Sequence, residues 1–331
     1  MEKKVLCIGN ALVDKVCLLE NDDLLVEEGL PKGSMQLITE ESSKRLQAIT
    51  GSLKSEMATG GSAANTASGT ANLGIATAYI GMVGRDGLGD FYIDDMKKNN
   101  IETKFFRSPT TQTGLALAFV SKDGERTFAT YLGAALELNA GNLDKDLFSG
   151  YDYVHIEGYL ISNRSLFSKI LELGKSVGAK ISMDLASYNV VEENVDFLRS
   201  VCKGVEIIFA NEQEAEAFSG MNAVKSVDYI SGYANISVVK LGEKGSLISC
   251  GGKTIRVQEV KRAKVDTTGA GDLYAGGFLA GLCQGRNLEQ CGIMGSILAG
   301  NVIEIMGTKM DEKRWQNIRR EISEKTGQVN I

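Results

Sequence analysis

Val265-Asp266-Thr267-Thr268-Gly269-Ala270-Gly271-Asp272 runs directly into Leu273-Tyr274-Ala275-Gly276-Gly277-Phe278. A strand-like end gives way to three small residues and then to a helical pattern. Glycine and alanine let a backbone come close to a ligand, and a helix start offers free N–H groups and positive potential. The pattern predicts an anion hole at Gly269, Ala270 and Gly271, suited to a phosphate in transfer. Asp272 falls in the first turn, within reach of a hydroxyl that must lose its proton. Standing alone, Gly-Ala-Gly-Asp is more often a turn whose acid stabilises a helix start. The longer context favours the chemical reading.

Upstream of this stretch, short apolar runs alternate with helical patterns. Strands are predicted at Lys4–Ile8, Ala76–Met82, Tyr153–Ile156, Ala179–Met183, Val205–Ala210 and Ile236–Leu241, and helices at 62–73, 88–98, 164–177 and 211–218. Such alternation argues a parallel sheet covered by helices on both faces. From residue 270 onward the pattern is helical, over 270–284, 288–306 and 311–324. Two stretches break the rhythm. Lys15–Leu19 and Met35–Thr39 are short and strand-like, and 103–132 reads as three strands, with Gly114–Val120 and Arg126–Leu132 flanking a Lys-Asp-Gly-Glu turn at 122–125. Asp-Gly between alternating apolar segments is a hairpin signal. These pieces are expected to form one small β-sheet over 12–44 and 101–132, a lid on an α/β domain made of 1–11, 45–100 and 133–331.

The composition narrows the partner. The chain has 331 residues, 43% hydrophobic and 24% charged, with a formal charge of −6. No basic stripe offers a nucleic-acid surface, so a small molecule is expected instead. The six cysteines are scattered without a CxxC pair and there is one histidine, which excludes a zinc site of ordinary spacing. The N-terminal apolar run is too short for a signal segment, and no uncharged run approaches a membrane span. A soluble protein of a reducing cytoplasm is expected.

Further motifs sit at predicted strand ends. Gly60-Gly61-Ser62-Ala63-Ala64-Asn65 opens a helix; two glycines permit close approach to a polyol and Asn65 can donate and accept, although Ser62 capping a helix is the plainer account. Asp14 follows the first strand through Gly9-Asn10-Ala11-Leu12-Val13, where open α/β sheets place ligands and where a carboxylate suits a vicinal diol; a lone loop Asp is commoner. Asn211-Glu212-Gln213-Glu214 has the spacing of a capping box, which the spacing alone favours, and the functional reading places Glu214 on Mg²⁺ through water. Lys240-Leu241-Gly242-Glu243-Lys244-Gly245 is either a phosphate neighbour or a tight turn. Gly251-Gly252-Lys253-Thr254 mimics a P-loop tail, but the upstream glycine would fall at Leu247 and strand-like runs flank it, so it is rejected. No GxGxxG follows the first strand, which disfavours a nicotinamide oxidoreductase. His155, in an apolar strand, is expected to be structural.

Together these residues resemble the ribokinase-like sugar and nucleoside kinases of the phosphofructokinase-B type. Two segments carry the likeness, GGSAANTASGTANLGIATAYIGMVGRDGLGDF at Gly60–Phe91 and DTTGAGDLYAGGFL at Asp266–Leu279, with NEQE and KLGEKG between them. The resemblance implies a three-layer α/β/α domain with a small β lid, ATP and Mg²⁺ as cofactors, and Asp272 as catalytic base beside the N–H groups of Gly269–Gly271. It implies Asp14, Gly60, Gly61 and Asn65 for the acceptor, with Glu157 added by position. It implies Asn211, Glu214, Lys240, Gly242 and Gly245 for the nucleotide, with Ser296 near adenine. Many relatives bind a monovalent cation, and Asp266, Thr268 and Gly307 would hold K⁺ here. GNALVD at 9–14, KGSMQLIT at 32–39 and GERTFATYLGAALEL at 124–138 look most like the adenosine-kinase-like branch. A ribokinase, fructokinase or ketodeoxygluconate kinase, or a non-catalytic nucleoside sensor, is the alternative. The enzyme is expected to act as a monomer or homodimer.

Overall fold

The structure, a computed structural model, describes residues 2–53 and 55–327. Its strands are β1 (Lys4–Ile8), β2 (Leu12–Leu18), β3 (Met35–Leu37), β4 (Ser55–Gly60), β5 (Ala76–Gly84), β6 (Ile101–Ser108), β7 (Gly114–Val120), β8 (Arg126–Tyr131), β9 (Tyr153–Ile156), β10 (Lys180–Asp184), β11 (Val205–Asn211), β12 (Ala234–Lys240), β13 (Ser246–Cys250) and β14 (Lys253–Val257).

Nine of them form one sheet in the order β14-β13-β12-β11-β10-β9-β1-β5-β6. From β12 to β6 every pairing is parallel, and β13 and β14 add an antiparallel edge. Strict alternation sends the side chains to two cores. On β1, Leu6 and Ile8 join the helices Arg164–Ser176, Glu212–Ser219 and Ala223–Ile230, while Val5 and Cys7 join Ser62–Asn72, Gly87–Lys98 and Ala270–Cys283. Sheet residues of this kind are fully buried, each side chain contributing roughly 1.5–3 kcal/mol. The result is a three-layer α/β/α arrangement. β1 lies between β5 and β9, so strand order reverses there, and the crevice past its C-terminal end is where such sheets bind ligands.

The second sheet has the order β3-β8-β7-β2-β4. One of its faces, with Val13, Cys17, Leu115, Leu117, Phe119 and Ala129, is buried against Leu25 and Leu46 of two short helices. The register puts Asp14, Val16 and Leu18 of β2 on the other face, with Ala116 and Ala118 of β7, Arg126, Phe128 and Thr130 of β8, and Met35 and Leu37 of β3.

Sheet membership differs from the sequence expectation in two places. β6, expected in the lid, pairs with β5 across its whole length in the large sheet. β4, expected in the α/β domain, pairs antiparallel with β2 in the small one. β4 was missed because Ser55–Met57 are exposed and polar residues break the alternation, so only its neighbour defines it as a strand. The helices Tyr188–Val201 and Ala223–Ile230 were also not anticipated, and the helix from Leu288 stops at Val302. The Gly251-Gly252 turn joins β13 and β14 as a hairpin, in keeping with its rejection as a P-loop. No helix among the described residues is long and apolar enough to cross a membrane. All six cysteines are free thiols.

Candidate active site

Gly269 has φ 72° and starts the helix Ala270–Cys283; a Cβ there would run into Thr308, so glycine is required. The N–H groups of Gly271 and Asp272 lie in the first turn, where a helix has no internal acceptor for them. The Ala270 N–H is turned back onto the Thr267 carbonyl at 3.2 Å, which leaves it less free than the sequence suggested.

Asp272 is held by three groups of the helix Ser62–Asn72. Ser62 Oγ donates to its Oδ1 at 2.7 Å, Asn65 Nδ2 to its Oδ2 at 2.9 Å, and Thr66 Oγ1 to its carbonyl at 3.1 Å. Ser62 therefore is not a helix cap: Gly61, at φ 97°, occupies that position without a side-chain bond. Asn65, expected to hold the acceptor, here orients the Asp272 carboxylate. Burial pushes the Asp272 carboxyl up to about 6, the charge of Asp184 adds to the rise, and the Asn65 and Ser62 hydrogen bonds oppose it. A carboxylate poised near neutrality has the chemistry to take a proton from a hydroxyl.

Asp14 sits on β2 with its carboxylate over Gly60, where a Cβ would overlap it. Burial and the charge of Asp272 raise Asp14 to about 7, and Arg126 opposes this. Gly61 passes close to the Asn10 carbonyl. Glu157, at the end of β9, is buried; it accepts from Asn10 Nδ2 at 2.5 Å and Ala63 N at 3.2 Å, and burial pushes it to about 7. Asp14, Gly60, Gly61 and Glu157 thus converge on the crevice beside Asp272. Asn10 was not anticipated, although it shares the Gly9–Asp14 stretch.

On the other side of Asp272 opens a cavity of about 870 Å³, lined by Asn211, Glu214, Lys240, Gly242, Gly245 and Ser296 among others. The capping box is real: Asn211 N and Nδ2 donate to the Glu214 carboxylate at 2.8 and 2.5 Å, and Asn211 Oδ1 accepts from Glu214 N. The capping box therefore also sets Glu214 in the lining of the cavity. Gly245, at φ 82°, packs where a Cβ would strike the Val257 carbonyl. Lys240 Nζ pairs with Asp184 at 2.9 Å; burial would lower the lysine, but Asp184 and Glu214 keep it charged and raised. Asp184 was missed from sequence, though it ends β10 just as Asp14 follows β1. Burial, then the charge of Asp184, push Glu214 to about 7. Three carboxylates around one lysine leave negative charge in surplus, a donor set that fits a divalent cation arriving with phosphates. Among the described residues no three acids, cysteines or histidines close on one point, so such an ion would take further ligands from phosphate and water.

Asp266, Thr268 and Gly307 converge, but around a guanidinium. Asp266 Oδ1 accepts from Thr268 N at 3.0 Å and Thr268 Oγ1 at 2.8 Å. Its Oδ2 accepts from Gly307 N at 2.8 Å and pairs with Arg126 Nη1 of β8 at 2.7 Å. Arg126 also donates to Thr268 Oγ1 at 3.2 Å and touches Met306. The K⁺ site expected at Asp266 does not fit this arrangement, because the carboxylate is already neutralised. His155 is buried on Ser182 Oγ at 2.7 Å, and burial lowers it to about 4.

Comparison with known proteins agrees with this architecture. Residues 37–314 match the pfkB family carbohydrate kinase model. An uncharacterized sugar kinase of Archaeoglobus fulgidus is 32% identical over 73% of this chain and 96% of its own. The adenosine kinase of Saccharomyces cerevisiae is 28% identical over 93% of this chain and 96% of its own. The crystal structure of adenosine kinase from Sinorhizobium meliloti superposes with a TM-score of 0.84 at 33% identity, covering 97% of this chain and all of that one (100%). The chain belongs to the pfkB family of carbohydrate kinases, and is a phosphotransferase acting on a sugar or nucleoside hydroxyl.

Proposed function

We propose that the enzyme is a nucleoside kinase that moves the γ-phosphoryl group of ATP to a ribose hydroxyl, with adenosine as the leading acceptor. The observation that carries this reading is the lid face bearing Asp14. Val16, Ala118, Phe128, Met35 and Leu37 share that face, with Met35 56% and Leu37 65% exposed. A bare hexose or pentose has no use for such a surface, whereas a flat heteroaromatic base gains from it. The likeness to the Sinorhizobium meliloti adenosine kinase supports the same choice.

Asp14 would accept hydrogen bonds from the ribose diol, and Gly60-Gly61 would let the sugar approach the backbone. Asp272 takes the proton of the attacking hydroxyl, and Ser62 and Asn65 hold its carboxylate in line. The N–H groups at the start of the helix Ala270–Cys283 face the phosphoryl group as its charge spreads. Lys240, kept charged by Asp184, lies in the same cavity beside Gly271. Glu214 would hold Mg²⁺ through water. When bound, that ion supplies neutralisation of the phosphate charge.

A panel of adenosine, other nucleosides, ribose, fructose and ketodeoxygluconate, read as acceptor-dependent ATP turnover, tests the proposal. Adenosine should have the highest kcat/KM, by about tenfold or more over ribose, the equivalent of about 1.4 kcal/mol. A bare sugar that matches or exceeds every nucleoside would overturn it.

A further inference from the structure

Arg126 is the one lid side chain whose charge is spent on the phosphate-binding turn of the other domain, as far as the described residues show. The pair it makes is enclosed, with the Arg126 side chain 11% exposed and that of Asp266 5%. All the partners of the Asp266 carboxylate are accounted for: Thr268 on one oxygen, Gly307 N–H and the guanidinium on the other. The same guanidinium donates to Thr268 Oγ1, next to Gly269. A free monovalent ion on this carboxylate would stand against a positive charge already in hydrogen-bond contact with it, and the two repel.

We propose that Arg126 is a built-in cation: it takes the place of a monovalent ion at Asp266, so that seating of the lid and charge balance of the Thr267–Asp272 turn are one event. It acts through Asp266 and Thr268 and is a positioning residue. Arginine suits the task because it stays charged when buried and its planar fork meets a carboxylate and a hydroxyl together. Removing one partner of a buried pair leaves the other charge uncompensated. Asp266 without Arg126 therefore becomes a vacancy that a small cation can fill.

The experiment compares wild type with Arg126→Ala and Arg126→Gln in buffers of equal ionic strength, containing KCl, NaCl or tetramethylammonium chloride. Two quantities are read: the thermal midpoint, which needs no acceptor, and ATP turnover with adenosine. Wild type should change by less than about twofold in turnover across the salts, with a constant midpoint. Both variants should lose turnover in tetramethylammonium and regain at least about tenfold as K⁺ saturates, the midpoint rising by several degrees over the same concentrations. Wild type that needs K⁺ for activity overturns the proposal, since the ion then binds despite Arg126. Variants whose midpoint and turnover both ignore K⁺ overturn it equally, since the pair is then only structural. The midpoint arm remains decisive if adenosine proves not to be the acceptor.

Discussion

In the large sheet, β11 buries Ile207 and Phe209 in one core and Ile208 and Ala210 in the other, all four fully. In the small sheet, β2 buries Val13 and Cys17 on one face and leaves Leu18 47% exposed on the other. The first sheet is fixed on both sides by packing, the second on one. A strand enclosed on both faces cannot shift without breaking two cores, whereas a sheet covered on one face can move as a body and present its open face to a ligand. Asp272 accordingly stands in the first turn of a helix packed on the fixed sheet. Asp14 stands on the half-open one.

That contrast is sharpest at Asp272. Asp272→Asn removes the proton acceptor and keeps the shape, so ATP binding should persist while turnover falls by about 10²–10⁴. A variant retaining more than about a tenth of wild-type kcat would remove Asp272 from its role. Asp14→Ala, on the lid, should act on the acceptor instead. A hydrogen bond to a charged group contributes roughly 1.5–3 kcal/mol, so the acceptor KM should rise about 10–150-fold with a smaller change in kcat. A fall confined to kcat would place Asp14 among the catalytic groups and blur the division.

Hydrogen exchange addresses the sheets directly. On acceptor binding, amides of β2, β7 and β8 should slow by about tenfold while β11 stays unchanged. Equal exchange in the lid with and without a verified acceptor would make it a fixed wall.

The smallest expected effect concerns pH. Asp272 must be ionised to act, so kcat/KM should fall below pH about 6, the value to which burial raises it. Ser62→Ala removes a hydrogen bond that favours the ionised form, so the acid limb should move to higher pH. An acid limb that moves lower, or stays in place, would mean another carboxylate controls it. Asp14, Glu157 and Glu214, each raised to about 7, are the rivals.

The two sheets also differed in legibility. β1, β5, β9, β11 and β12 announce themselves because a strand buried on both faces must be a run of apolar residues, and no other local pattern serves. β4 is paired only at an edge, so nothing in Ser55-Glu56-Met57 requires a strand. β6 lies beside the hairpin of β7 and β8 in sequence but not in space. Among the candidate site residues, Gly269–Asp272 could be read because a tight turn into a helix constrains consecutive positions. Asp184 and Arg126 act through partners distant in sequence, Lys240 and Asp266, and no spacing rule links such pairs. The hydrogen bond from Asn65 to Asp272 was not legible, because it spans two segments far apart along the chain.

The contact between Gly60 and Asp14 has a consequence for how the family can diversify. A side chain at Gly60 would occupy the space of the Asp14 carboxylate, and one at Gly61 would be strained by its φ of 97° as well as crowded by the Asn10 carbonyl. No single substitution at either glycine is then neutral while Asp14 remains. A lineage that alters Gly60 must change Asp14 first, whereas Gly61 stays constrained by its own backbone and by Asn10, which makes the order of mutations, as well as their content, part of the inheritance of this site.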